Sequence, residues 1–346
     1  MTELPKTMKA WVVARNGAPK DALQLKTDWP APAAPTGNNI LVKISHAALN
    51  PADMHFMLVL PTWLPFRRSP IPGLDFAGEI VAAGPDVSPE LQKVGTKVCG
   101  SLGVSQVAFG KGSLAEYVQV PAELVAVQPE RMSSLEAAGV MGCAGQTAAI
   151  MIKEADVQPG QRVLINGASG GVGSVLLQIA KAKGATVYAV CSEANAEMVK
   201  RLGADEAIDY KAHDPIEVHL AEKFKDEHLD FIFDCAGSQP LFTHSPKYLK
   251  ADGKFINIVG GRSQGIVPFV RNKLVPVFLG GTPRSYRLLG LSPAGNLARE
   301  VAKWVEEGLV TQAPIDSEFS MEEAVQAYEK LASKRAKGKI VVKIQG

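Results

Sequence analysis

Residues 163–173 read Val-Leu-Ile-Asn-Gly-Ala-Ser-Gly-Gly-Val-Gly, an aliphatic run that breaks into Gly167, Gly170, Gly171 and Gly173. Helical periodicity follows at once, with Val172, Val175, Leu176, Ile179 and Ala180 on one face. Glycines allow a sharp strand-to-helix turn and a close backbone approach that a Cβ would block. The helix beginning there offers unsatisfied N–H groups and a partial positive charge. Strand, glycine turn and helix in that order form a cradle for a diphosphate. The spacing is GxxGGVG rather than GxGxxG, so the surrounding pattern carries the reading. Gly170 is expected to face the phosphates beside Ser169, Gly171 and Val172, and Gly173 to let helix and strand pack closely.

That surrounding pattern alternates. Strand candidates at 185–191, 206–209, 230–234 and 254–259 are interleaved with helical stretches such as 194–202, which implies a parallel, doubly wound sheet with ligands at its carboxyl ends. Before residue 128 the texture differs. Short β-like runs at 8–14, 40–45, 77–82 and 117–120 are separated by Pro and Gly clusters, as in a β-rich, barrel-like unit. Ser133 with Glu136 and Ser320 with Glu323 have capping-box spacing and open helices. The closing run 338–344 is a strand that can rejoin the N-terminal unit. The chain of 346 residues is thus expected to be α/β with two domains, a β-rich one of residues 1–128 and 309–346 and a dinucleotide-binding one of residues 129–308.

Charge excludes some classes. The 37 basic and 35 acidic residues leave a net +2, with no basic–aromatic stripe, so neither nucleic acid nor an anionic membrane is an expected partner. Cys99, Cys143, Cys191 and Cys235 stand far apart with no CxxC pair, which fits a reduced, cytoplasmic setting. The most apolar run, 137–152, is short for a bilayer and carries Gly139, Gly142 and Gly145.

The second strand of the dinucleotide half ends in Cys191-Ser192 rather than in Asp or Glu. A carboxylate there would repel a ribose 2′-phosphate, so its absence favours NADPH. Ser192, Asn195 and Tyr210 are candidate hydrogen-bond donors, while Glu193 pulls the reading towards NADH. Gly167-Ala168-Ser169-Gly170-Gly171 also fits the G-x-S-x-G nucleophile elbow of hydrolases. That alternative makes Ser169 a nucleophile and requires a histidine base late in the chain, where His244 is the last one.

Further motifs stand in order from Lys9 to Lys343: Asn50-Pro51-Ala52-Asp53, Gly73-Leu74-Asp75-Phe76-Ala77-Gly78, Gly112-Ser113-Leu114-Ala115-Glu116-Tyr117, Gln178-Ile179-Ala180-Lys181 and Leu202-Gly203-Ala204-Asp205. Together they resemble the medium-chain dehydrogenase/reductase superfamily, in its zinc-free, quinone-oxidoreductase-like (zeta-crystallin-like) branch. The resemblance implies a GroES-like β-rich catalytic domain, a Rossmann domain, an active site in the cleft between them and a homo-oligomer, a dimer being usual. It also places Asn50 beside nicotinamide and substrate, Thr147, Gly260 and Gly261 by the nicotinamide, and Gly237 by the adenosine ribose. The alternative for each of Gly237, Gly260 and Gly261 is only to end its strand.

Zinc members of the superfamily use a Cys in the first of these motifs, His-Glu in the second and often a later Cys. This chain has Asn50, Leu74-Asp75 and Cys143 there, too few donors for a three-ligand catalytic zinc. No metal is expected. Hydride acceptors that need no metal remain, namely quinones and alkenes conjugated to a carbonyl. His55 is the candidate proton donor, or else a polar residue at a cleft rim. Phe56, Met57, Leu60, Trp63 and Phe66 either line an apolar pocket or belong to the core. Arg67-Arg68 attracts an acidic substrate tail or is solvated surface. The expected activity is a zinc-independent, NADPH-dependent reduction of quinones or α,β-unsaturated carbonyls. The alternatives are a stand-alone enoyl reductase of a biosynthetic pathway and a non-catalytic NADPH-binding protein, of the crystallin, RNA-binding or trafficking-adaptor kind.

Overall fold

The computed structural model describes residues 4–60, 62, 69–259 and 266–345. Its strands are β1 (Thr7–Val13), β2 (Leu23–Pro30), β3 (Asn39–Ala48), β4 (Asp75–Ala83), β5 (Lys97–Ser101), β6 (Tyr117–Pro121), β7 (Val125–Val127), β8 (Arg162–Asn166), β9 (Thr186–Cys191), β10 (Glu206–Asp209), β11 (Leu229–Asp234), β12 (Leu249–Asn257), β13 (Ser285–Leu288), β14 (Ile315–Ser320) and β15 (Lys339–Lys343). Two compact units divide the chain. One comprises Met1–Gln146, Ser292–Gly308 and Ala313–Gly346, the other Thr147–Leu291 and Leu309–Gln312. Residues 129–146 and 292–308, placed by the sequence with the dinucleotide domain, group here with the first unit. The reason is local packing, since helix Ser134–Val140 lies on β3, β4 and β15 and helix Gly295–Glu306 lies on β7.

The first unit is a β structure. Strands β1 and β2 form an antiparallel pair, and a larger sheet runs β14-β15-β3-β4-β5-β7, with β6 also on β3. The C-terminal strand does return to the N-terminal unit: β15 pairs antiparallel with β3, Val341 opposite Ala48. Alternation buries Ile40, Val42 and Ile44 with Phe76, Ile80, Val98, Val342 and Tyr328 in one core. Helix Ser134–Val140 starts where the sequence places it: Ser133 Oγ accepts the Glu136 N–H at 3.3 Å while Glu136 Oε2 accepts the Ser133 N–H at 2.9 Å.

The second unit is a six-stranded parallel sheet in the order β10-β9-β8-β11-β12-β13. Chain direction reverses its walk across the sheet between β8 and β11, which is the switch point where such folds bind ligands. Val163, Leu164 and Ile165 are fully buried, as are Val175, Leu176 and Leu177 of helix Gly171–Ala182. Polar residues collect at the strands' carboxyl ends instead. Among the described residues no single helix is long and apolar enough to cross a membrane.

Candidate functional site

The glycine turn lies between β8 and helix Gly171–Ala182, with Gly170 as N-cap. Gly167 has φ +78°, a left-handed conformation that favours glycine. A Cβ on Gly173 would lie 2.3 Å from the Gly167 carbonyl oxygen and 2.7 Å from Ala168 Cα, so only glycine lets the helix start this close to the strand. The turn is tied to the next strand by the Gly167 and Ala168 N–H groups, which donate to Val190 O at 3.1 and 3.2 Å.

Several residues expected at the cofactor gather around this turn. Asn195 Nδ2 donates to Ser169 Oγ at 2.9 Å. The Asn195 N–H donates to Ser192 O at 2.8 Å, and the Tyr210 N–H to Cys191 O at 3.2 Å. Ser169, Ser192, Asn195 and Tyr210 thus share the carboxyl ends of β8, β9 and β10. The Tyr210 ring is exposed, and Asn195 Oδ1 is buried without a hydrogen-bond partner, an acceptor suited to a hydroxyl. Ser169 is bonded to an amide rather than to a histidine, so it lacks the adjacent base that a hydrolytic serine needs.

Sequence reading missed the hub beside it. Asp234, the last residue of β11, accepts five N–H donors. Oδ1 takes Asn166 Nδ2 at 2.9 Å, the Ala236 N–H at 3.1 Å and the Gly237 N–H at 2.8 Å; Oδ2 takes the Ser238 N–H at 2.8 Å and Asn257 Nδ2 at 3.1 Å. Asn257 Oδ1 in turn accepts the Val259 N–H at 2.6 Å. Burial pushes the Asp234 carboxyl up and the surrounding N–H groups pull it down, with a net rise. Because every partner is a donor, the ionised form alone satisfies all five bonds. The available signal was three apolar runs ending in Asn166, Asp234 and Asn257, which register places side by side.

Gly237, with φ +82°, occupies the turn that Asp234 holds. Thr147 lies in helix Cys143–Ala155 and is 8% exposed. Gly260 and Gly261 lie outside the described residues, as do Trp63, Phe66, Arg67 and Arg68. Met57 is buried in the first unit's core and Phe56 packs against it.

Asn50 and His55 belong to the first unit. Asn50 is the N-cap of helix Pro51–Val59, on which His55 is half-buried. Its side chain is fully engaged: Nδ2 donates to Asp75 Oδ2 at 2.9 Å and to Ala48 O at 3.3 Å, while Oδ1 accepts Lys339 Nζ at 2.7 Å. Lys339 Nζ also donates to Leu49 O at 3.0 Å and to Asp75 Oδ2 at 3.2 Å. Asp75 Oδ1 accepts the Cys143 N–H at 2.8 Å, and Cys143 Sγ lies 3.4 Å from Ser101 Oγ. Burial, then the Asp75 charge, holds the Cys143 thiol well above its usual range. Asp53 Oδ2 accepts the Asn50 N–H at 2.8 Å, yet burial prevails and pushes its carboxyl up to about 8. Among the described residues no group of three His, Cys, Asp or Glu is placed to hold a metal ion. At the zinc-motif positions Leu74 is a buried apolar side chain, and the Asn50 oxygen and the Asp75 carboxylate already hold an ammonium group. This donor set does not fit a catalytic zinc.

Two family descriptions match the chain: an alcohol dehydrogenase GroES-like domain over residues 36–130 and a zinc-binding dehydrogenase over residues 202–342. The medium chain reductase pydE of Acremonium sp is 33% identical, the alignment covering 98% of this chain and 99% of that protein. The trans-enoyl reductase poxH of Penicillium oxalicum is 32% identical, with 98% of each covered. Among solved structures, a quinone oxidoreductase from Coxiella burnetii superposes with a TM-score of 0.81 at 28% identity, over 98% of this chain and all of that one. The fold is also that of mycobacterial Rv1454c, solved with NADPH, at TM-score 0.78 and 23% identity over 98% of this chain and all of that one.

Proposed function

Because the chain belongs to the medium-chain dehydrogenase/reductase superfamily, in its quinone oxidoreductase and trans-enoyl reductase-like branch, we propose that it is a zinc-independent, NADPH-dependent reductase of quinones or α,β-unsaturated carbonyls. The observation that carries this reading is the glycine cradle at the switch point of the parallel sheet, with the Asp234 hub setting the neighbouring strand ends. Gly170, Gly171 and the N–H groups opening helix Gly171–Ala182 hold the diphosphate, with Ser169 and Val172 flanking it and Gly173 keeping the helix close. Ser192, Asn195 and Tyr210 take the adenosine ribose and its 2′-phosphate, the orphaned Asn195 Oδ1 accepting from a ribose hydroxyl. Gly237 and Thr147 border the rest of the dinucleotide. When bound, the reduced nicotinamide supplies a hydride to an electron-poor carbon of the acceptor.

The other half of the reduction is a proton, delivered to the α-carbon of an enone or to a quinone oxygen. His55 is assigned that transfer, since imidazole exchanges protons near neutral pH. Asn50 acts as a positioning residue: with both amide hydrogens engaged, it fixes the start of the helix that carries His55. The trans-enoyl reductase among the relatives supports enoyl compounds as one acceptor class, and the quinone oxidoreductase supports quinones as the other. We further infer a cytoplasmic homodimer.

The test is NADPH oxidation followed with quinones, enones and enoyl thioesters. Turnover of at least one class, lost with Gly173→Val, supports the proposal. Tight NADPH binding without turnover of any acceptor would replace it with the non-catalytic reading.

A further inference from the structure

The motif Gln178-Ile179-Ala180-Lys181 has no part in the proposed chemistry. Lys181 is accounted for by an exposed ion pair with Asp205 at 2.6 Å. Gln178 is not, because it is buried at 5% exposure on the helix that opens at the cofactor turn. A buried amide is tolerated where its donors and acceptors are used, and here they are. Oε1 accepts the Thr311 N–H at 2.9 Å and the Gln312 N–H at 3.0 Å, while Nε2 donates to Gln312 O and to Ser174 O, each at 3.0 Å. Residues 310–314 lie in neither helix nor strand, so one side chain supplies the hydrogen bonds that a ladder would give at 311–312.

That stretch is also where the chain changes unit. Leu309–Gln312 belongs to the second unit, and the residues on both sides of it, Ser292–Gly308 and Ala313–Gly346, belong to the first. A second buried glutamine stands at the other two changes, 146/147 and 291/292. Gln146 is 0% exposed; within the first unit its Oε1 accepts the Ala294 N–H at 3.0 Å and its Nε2 donates to Met141 O at 3.2 Å. Each unit thus grips two chain changes with one buried amide. We propose that Gln178 is a positioning residue for the reduction. It pins the Thr311-Gln312 passage to the dinucleotide helix, fixing the chain where it leaves the unit of the cofactor turn for the unit that carries His55. This rests on the reductase reading, which takes hydride from one unit and a proton from the other. Misplacing reacting groups by about 1 Å can cost on the order of a hundredfold in rate. The phosphate-facing N–H groups lie about two turns earlier on the helix and keep their grip without the clasp.

The experiment uses the full chain as wild type, Gln178→Met and Gln178→Glu. Hydrogen exchange over residues 309–313 is followed by mass spectrometry without acceptor, alongside NADPH titration by fluorescence and steady-state kinetics. Gln178→Met keeps the length of the side chain and loses its amide. It is expected to exchange the Thr311 and Gln312 amides at least about tenfold faster, to bind NADPH within about threefold of wild type, and to lower kcat at least about tenfold. Gln178→Glu keeps an acceptor for both N–H groups and is expected to fall between the two. Should Gln178→Met not fold, Gln178→Asn, one methylene too short to reach the passage, carries the same expectations. Unchanged exchange at 311–312 in a folded variant overturns the proposal. So does a kcat that stays at the wild-type level, or a loss of kcat matched by an equal loss of NADPH affinity, which places the effect in the cradle. A wild type that binds NADPH and turns over no acceptor overturns the reductase reading instead, and the exchange measurement still decides whether Gln178 holds the passage.

Discussion

Asn166 Nδ2 donates to Asp234 Oδ1 at 2.9 Å, tying together the last residues of β8 and β11, the two strands that flank the switch point. The same carboxylate reaches Asn257 at the end of β12 and the three N–H groups of 236–238. One side chain therefore sets the strand-end surface to which the proposed dinucleotide is assigned. Replacing it by an amide puts an NH2 group against N–H donors. Asp234→Asn is expected to cost about 2–4 kcal/mol of stability in urea unfolding, from charge-assisted bonds lost inside the fold. NADPH affinity, read by fluorescence titration, should fall with it. A variant of full stability and unchanged affinity would remove the hub from the argument.

Gly173 is the sharper probe of the cradle. A methyl there meets the Gly167 carbonyl at 2.3 Å, so Gly173→Ala must push the helix start away from the strand. Overpacking of that kind costs about 1–3 kcal/mol. The phosphate-facing N–H groups move with the helix, and KM for NADPH is expected to rise at least about tenfold, equivalent to 1.4 kcal/mol. Gly160→Ala is the control, since open space surrounds that glycine although its φ of +79° adds strain. It should lower stability while leaving KM unchanged.

What was legible in the sequence follows from which constraints are local. The turn at 167–173 was readable because its backbone demand is written directly as glycine. Strand β8 holds the apolar run 163–165 at its centre, and β10 spans the expected 206–209. Strand β13, with Arg287 among its four residues, carries no such pattern, and its burial depends on pairing with β12. The Asp234 hub was invisible for a related reason: Asn166, Asp234 and Asn257 mean little apart and become a network only once register aligns three strand ends. Nothing in the closing run 338–344 singles out Lys339. Its partner Asn50 is 289 residues away, a separation no local pattern spans.

The buried Asp53 makes stability depend on pH in an unusual direction. Unfolded, its carboxyl titrates near 3.8; folded, burial and then the Asp75 charge raise it to about 8 despite the Asn50 N–H and Lys339. Between those values the folded chain holds a proton that the unfolded chain has released, so stability falls as pH rises. The slope is at most about 1.4 kcal/mol per pH unit. Unfolding midpoints are therefore expected to drop from about pH 5 to pH 8, and the decline should flatten in Asp53→Asn, which keeps an acceptor for the Asn50 N–H. A wild-type profile that Asp53→Asn does not alter would assign the proton elsewhere.

The proposed homodimer has a natural surface on the second unit. Phe278 is 84% exposed, with Leu274 and Leu279 at 67% each, an apolar patch that a monomer rarely leaves to water. Nearby in sequence, β13 ends its sheet and, among the described residues, pairs only with β12. An open strand edge beside an apolar segment suits a second copy of the chain. Light scattering after gel filtration is expected to give twice the chain mass for wild type and the chain mass for Phe278→Glu, with NADPH binding retained. A wild-type monomer at micromolar concentration would end this assignment.

Cofactor choice rests on the end of β9. The strand closes in Cys191-Ser192, and the Cys191 thiol is pushed up to about 11 by burial and then by the charges of Asp209 and Glu193. Those carboxylates oppose a 2′-phosphate, whereas Ser169, Ser192, Asn195 and Tyr210 offer it neutral donors. At about 1 kcal/mol per hydrogen bond, two or three donors to the phosphate give a preference of roughly ten- to a hundredfold for NADPH over NADH. Ser192→Asp places a carboxylate at the strand end itself, where it repels the phosphate and accepts from ribose hydroxyls. Steady-state kcat/KM with the two cofactors should therefore favour NADPH in wild type and move towards NADH in Ser192→Asp. If wild type already prefers NADH, Glu193 and Asp209 govern the pocket and the NADPH assignment fails while the reductase reading survives.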